Sequence, residues 1–103
     1  MIDNDNNNLK KYKSKQWRYT RAFILARDKY ICQYFKRFGV TKNADVVHHI
    51  YPSNDYPSLF FNVNNLISLS NEAHEKMHNR KTGEISQDGR KLQQKFKNKI
   101  FKK

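Results

Sequence analysis

Cys32 is the only cysteine in the 103-residue chain, so no disulfide can form within it. A chain of this length makes one small domain with a modest core, and 37% hydrophobic against 29% charged residues point the same way. Domains this small commonly gain stability from a disulfide or a metal. With the first excluded, metal is the candidate staple, and a lone cysteine fits a reducing cytosol. The four histidines fall into two close pairs. His48 and His49 are adjacent in Val46-Val47-His48-His49-Ile50-Tyr51-Pro52, and His74 and His78 lie in Asn71-Glu72-Ala73-His74-Glu75-Lys76-Met77-His78.

Residues 1–9 are polar and rich in Asn and Asp and read as a disordered lead-in, leaving 10–103 as the domain. Lys10, Lys11, Lys13 and Lys15 form a basic stretch. Trp17, Thr20, Ile24 and Leu25 recur at helical spacing from Ser14 to Arg27, with Ser14 as N-cap. Asp28-Lys29 and Gly39 mark turns. Ala44–Ile50 and Asn65–Leu69 read as strands flanking a loop that holds Pro52 and Pro57. A helix is expected over Glu72–Arg80, capped by Ser70 or Asn71, and a basic one over Ser86–Lys99, where Leu92, Phe96 and Ile100 share a face. Trp17, Phe23, Phe60 and Phe61 read as core. Tyr51 and Tyr56, in the loop beside the histidines, are candidates for phosphate or sugar contacts, with a purely structural role an equal alternative.

The 21 Lys and Arg against 9 Asp and Glu give a formal charge of +12, which predicts a polyanionic partner, with nucleic acid the commonest inside cells. No apolar run approaches the roughly 20 residues of a spanning helix, and the N-terminus lacks the pattern of a secretion signal. A soluble, cytoplasmic protein with no membrane partner is expected. Arg18, Arg21, Arg27 and Arg80 are candidates for forking onto backbone phosphates. The tail lysines Lys95, Lys97, Lys99, Lys102 and Lys103 would add sequence-independent affinity.

On a continuous helix, His74 and His78 at i and i+4 project from one face, a spacing at which two imidazoles can share a metal. A hairpin packed on that helix could bring a third ligand from the His48-His49 pair. Three protein ligands with open positions describe a catalytic metal site, and the remaining imidazole could act as general base. Neighbouring side chains in a strand face opposite ways. For both His48 and His49 to serve one site, the backbone is expected to leave regular strand geometry there, with the bend completed at Tyr51-Pro52.

The order His48-His49, Asn65, His74, His78 resembles the motif of the HNH endonucleases. The nine-residue step from Asn65 to His74 and the His-x-x-x-His ending resemble the colicin DNases in particular. Trp17-Arg18, Leu25 to Gln33, Val47 to Pro52 and Asn65 to Leu69 are similar to small HNH proteins encoded by phages of Gram-positive bacteria. The resemblance covers roughly residues 10–100 and implies an α+β fold. Its core would be a small ββα-metal (His-Me finger) unit with an N-terminal helix and a basic C-terminal helix. It further implies a metal-dependent endonuclease that nicks or cuts double-stranded DNA, leaving a 5′ phosphate, in phage DNA processing or packaging within a bacterial host. The phage terminase is the protein partner that analogy suggests.

Carried over position by position, the resemblance implies His49 as general base and His48, His74 and His78 as metal ligands. Asn65 would hold the loop and orient the base. One divalent ion is implied, Mg2+, Mn2+, Zn2+ or Ni2+. Many relatives add a structural zinc on two Cys-x-x-Cys pairs; here those positions are Cys32, Phe35, Ser70 and Ala73, so no structural zinc is expected and Cys32 reads as a small buried hydrophobe. Two rivals differ in class: a nucleic-acid-binding module that keeps the fold without the chemistry, and a structural zinc held by all four histidines.

Overall fold

The computed structural model describes residues 8–102; most of the expected lead-in, and Lys103, lie outside the described residues. Residues 8–12 form a short helical segment. The first long helix, α1 (Lys15–Arg27), starts where the Ser14 Oγ accepts from the Trp17 amide at 3.1 Å. Trp17, Ile24 and Leu25 form its buried face. Phe23 is 56% exposed, against the core expectation, because at 100° per residue it points about 120° away from Trp17. After a turn and the four-residue helix α2 (Gln33–Lys36), the chain enters a two-stranded antiparallel ribbon. Its strands are β1 (Val46–His49) and β2 (Leu66–Leu69). Helices α3 (Asn71–Glu75) and α4 (Gln87–Ile100) follow, each capped by a serine, Ser70 and Ser86.

The ribbon pairs Val46 with Leu69, Val47 with Ser68, His48 with Ile67 and His49 with Leu66. The ladder runs on past the strand end, with Ile50 N donating to Asn65 O at 2.8 Å. The expected departure from strand geometry at the histidines is therefore not found. Both faces of the ribbon are covered, so β2 is buried along its whole length. Ile67 and Leu69 pack with Ala73, Met77, Leu92 and Ile100 on the α3–α4 side. Leu66 packs with Trp17, Ile24 and Phe60 on the α1 side.

The outer edge of β2 is closed by side chains. Asp28 Oδ2 accepts from Ser68 N at 2.9 Å and Arg27 donates to Leu66 O at 2.8 Å. Among the described residues, the outer edge of β1 has no neighbouring strand.

The helix expected over Glu72–Arg80 stops at Glu75. Ser86 captures the carbonyls that a longer helix would have used, with its Oγ bonded to Lys76 O and its amide to Met77 O. Asn79 adds a turn of its own, its side chain accepting from Lys81 N and Thr82 N. His78 then bridges to Ile85 in extended geometry. Gly89, in the first turn of α4, lets that helix press on this turn: a Cβ there would lie 2.5 Å from Met77 O. Among the described residues no helix is long and apolar enough to cross a membrane.

Candidate active site

A cleft of about 640 Å³ runs along the free edge of β1 and is lined by five consecutive residues, Asp45 to His49. His74, His78 and Tyr12 also line it, so all four histidines meet there. Strand alternation, kept intact, sends His48 to the α3 side of the ribbon and His49 to the α1 side. Both reach the cleft because it lies at an edge.

On the α3 side, His48 is 3% exposed, and its ring centroid lies 5.1 Å from that of His74 and 5.9 Å from that of His78. Its Nε2 is, among the described residues, the one buried side-chain polar atom with no hydrogen-bond partner. Burial, then the charges that His74, His78 and His49 would carry, push its pKa down from 6.5 to about 3. Burial also depresses His74. Neutral imidazole is the form that binds a metal. A buried nitrogen with no partner, beside two further imidazoles, fits a divalent ion. Two imidazoles on one tetrahedral ion have centroids about 5.2 Å apart at ordinary bond lengths, which is the His48–His74 spacing. No group of three or more His, Cys, Asp or Glu among the described residues is already closed to metal-holding distance; of the two neighbouring rings, His78 is the more distant from His48. The expectation that His74 and His78 share a helical face is corrected here, since His78 lies beyond α3 and is placed by its bridge to Ile85.

On the α1 side, His49 stacks on Trp17 at 5.4 Å and 19° and packs against Phe60 at 4.6 Å. Its Nε2 lies 3.0 Å from the Phe60 carbonyl oxygen. A carbonyl can only accept, which assigns the proton to Nε2 and leaves the lone pair on Nδ1. The Tyr12 hydroxyl, 3.3 Å from Nδ1, is then the donor. Burial, with the nearby Lys11 charge, lowers the His49 pKa against the opposing pull of the Phe60 bond. The ring is thus a neutral imidazole with one fixed tautomer.

Asn65 is fully buried at the base of β2. Its Oδ1 accepts from Tyr51 N at 2.8 Å, and its Nδ2 lies 3.1 Å from Tyr51 O and 3.3 Å from Leu59 O. It clamps both ends of the loop and makes no side-chain hydrogen bond with His49. Its hold on Leu59 fixes the residue before the Phe60 carbonyl, so its influence on the imidazole is indirect.

Of the four arginines singled out in the sequence, Arg21 lines the cleft and donates to Asp45 O at 3.3 Å. Arg18 and Arg80 are exposed. The Arg27 guanidinium is spent within the fold, on Asp28 and on the carbonyls of Val63 and Leu66, and faces away from the cleft. Tyr51 is buried, its hydroxyl donating to Gln93 O, which corrects the phosphate-contact expectation; Tyr56 is 38% exposed. Cys32 and Ala73 are buried in the α3–α4 core with Phe35 packed against it. Tyr12 and the Phe60 carbonyl are the site groups that sequence reasoning misses. A lone aromatic among lysines is the signal for the first, and a backbone acceptor carries none.

No protein-family model matches the chain, and no curated protein sequence does. Among solved structures, it is similar to the HNH endonuclease of the deep-sea thermophilic bacteriophage GVE2, determined with a manganese ion. The two are 30% identical with a TM-score of 0.70, over 72% of this chain and 80% of that one. With β1, β2 and α3 in sequence order, the fold is α+β with a ββα-metal core. The chain belongs to the HNH endonuclease family.

Proposed function

We propose that this chain is a divalent-metal-dependent endonuclease that hydrolyses phosphodiester bonds of double-stranded DNA, with His49 as general base. One observation carries the reading: from opposite faces of the ribbon, His48 and His49 bring an unpartnered Nε2 and a lone-pair Nδ1 to the same cleft. His49 would take a proton from water at Nδ1 as the water oxygen bonds to phosphorus and the P–O3′ bond breaks, leaving a 5′ phosphate. The Phe60 carbonyl holds Nε2–H and stabilises the imidazolium so formed. Trp17 and Phe60 keep the ring from turning.

His48, His74 and His78 would hold the ion, the first two at the spacing already present. When bound, the ion would stabilise charge building on the phosphate and the leaving oxygen. Imidazole donors favour zinc or nickel by affinity, while the manganese of the GVE2 structure supports a manganese or magnesium working ion. Arg21, at the cleft, and the exposed Arg18 and Arg80 would meet the DNA backbone. Work in phage DNA processing or packaging beside a terminase follows from analogy.

The test is nicking of supercoiled plasmid in a series of magnesium, manganese, zinc and nickel, against a chelator control. Cleavage with at least one ion and none in chelator is expected. A metal-dependent rise in melting temperature that His48→Ala abolishes is expected alongside it. Wild-type nicking rates in His49→Ala would remove His49 from its role.

A further inference from the structure

Arg21 is the one Lys or Arg in the lining of the histidine cleft, although the Lys11 charge lies near His49. More cationic side chains line a second cavity, of about 370 Å³, at the opposite edge of the ribbon beside β2. Lys36 from α2, Arg37 at the C-terminal cap of that helix, and Lys95 and Lys99 from α4 stand around its rim. The two ion pairs found among the described residues involve none of the four. Arg27 and Asp28 also line the cavity, but they are paired with each other and tied to β2, so the rim carries four uncompensated positive charges. The floor is apolar, formed by Ile50, Leu66, Ile67 and Leu92, with the half-buried Phe96 ring at the side. Lys95 Nζ lies 5.5 Å from the Phe96 ring centroid.

Like charges lining one cavity repel, which an anion between them would relieve. Such a rim above an apolar floor suits a ligand with a flat apolar body and an anionic end. We propose that this cavity binds a nucleotide, with its phosphate among Lys36, Arg37, Lys95 and Lys99 and its base against Phe96 and Leu92. An aromatic face beside cations is how proteins hold unpaired bases without sequence preference. The nucleotide could be free in solution or an unpaired unit of a DNA strand; both present the same chemistry. The site involves neither His49 nor any ion, so it stands apart from the nuclease reading.

The test is an NMR titration of isotope-labelled full-length protein in chelator with thymidine 5′-monophosphate, inorganic phosphate and a 5′-phosphorylated tetrathymidylate. Shifts at Lys36, Arg37, Lys95, Phe96 and Lys99 are expected with the mononucleotide, at an affinity well above that of inorganic phosphate. The doubly reversed variant Lys95→Glu with Lys99→Glu should bind it about tenfold or more weakly. Lys36→Glu with Arg37→Glu, at the end of α2 and so on a separate segment, should do the same, which guards against a folding artefact in either. Tighter binding of the tetranucleotide at these residues identifies a DNA strand as the source. Equal or weaker binding there identifies the free nucleotide. Shifts confined to the histidine cleft, or equal affinity for inorganic phosphate, would overturn the proposal. Tighter binding of an acidic peptide than of the nucleotide would do the same. Failure here leaves plasmid nicking untouched, and the reverse holds too.

Discussion

His49 Nε2 lies 3.0 Å from the Phe60 carbonyl oxygen, and this bond determines which of its two nitrogens can act. The free lone pair is on Nδ1, where the Tyr12 hydroxyl now sits at 3.3 Å. A water molecule must displace that hydroxyl before it can be deprotonated. Tyr12→Phe removes the competitor while keeping the ring packed on Trp17 and Phe60. A hydrogen bond worth about 1 kcal/mol net implies a rise of about fivefold in kcat/KM, read from plasmid nicking. His49→Ala should instead lower nicking by roughly 10²–10⁴-fold with DNA affinity little changed. A Tyr12→Phe variant that cuts more slowly than wild type would mean that the phenol assists the base.

Asn65 makes its contribution through the loop. Asn65→Ala leaves the Tyr51 amide and the Tyr51 carbonyl without their partner, while the Leu59 carbonyl keeps its bond from Asn62 N. With each orphaned buried group costing about 1–3 kcal/mol, a loss of about 3 kcal/mol is expected. Urea unfolding should show it as a lower midpoint at unchanged slope. Asn65→Asp should not restore stability, because a carboxylate would face two carbonyl oxygens. A midpoint equal to wild type in either variant would contradict the clamp.

The hairpin and the Ser14 and Ser70 caps are legible in the sequence because they rest on local chemistry, and Ser86, read there as the start of the last helix, proves to be its cap: each accepts from an amide three residues on. The meeting of the four histidines is legible too, through the spacing of His48, Asn65 and His74. What is not legible comes from non-local competition. The His74–His78 segment carries an i, i+4 pattern, yet Ser86, ten residues beyond Lys76, takes the backbone bonds that a helix would need. Likewise, the expected bend at His48-His49 assumed that two side chains on opposite faces cannot serve one site. A cleft at the edge of a two-stranded ribbon admits both without any bend, and sequence patterning does not reveal that the outer edge of β1 has no neighbouring strand among the described residues. Arg27 illustrates the same limit, since an arginine in a basic helix gives no sign that two distant carbonyls will claim it.

Gly89 tests the turn that places His78. Alanine in a helix is ordinarily favoured over glycine by about 1 kcal/mol. At this position its Cβ would lie 2.5 Å from Met77 O and 2.7 Å from the Ile85 side chain. A backbone oxygen held by Ser86 N cannot step aside as a side-chain tip can. Gly89→Ala should therefore destabilise by about 1–3 kcal/mol net and weaken the metal-dependent rise in melting temperature, because the His78–Ile85 bridge would be displaced. Stabilisation by the substitution would show that α4 does not press on this turn.

The burial of His48 makes a pH dependence that can be measured without metal. Its pKa is 6.5 as the ordinary value and about 3 in the fold. Between these values the unfolded chain binds a proton that the folded chain refuses, so stability rises with pH across this window. The contribution is fully present above pH 6.5 and is lost progressively as the pH falls toward 3. One proton corresponds to about 1.4 kcal/mol per pH unit. Over the whole window the loss is on the order of 5 kcal/mol as an upper limit. His49 and His74, shifted in the same direction by burial, steepen the loss. Urea unfolding in chelator from about pH 8 to about pH 4 should show wild type losing stability faster than His48→Leu, which keeps an apolar side chain in the buried position and cannot titrate. The difference in slope should approach one proton just below pH 6 and vanish above pH 7, where the imidazole is neutral in both states. Parallel curves across the acid range would mean that water or a counter-charge reaches His48 in the fold, and the unpartnered Nε2 would then lose its meaning as a ligand held ready for a metal.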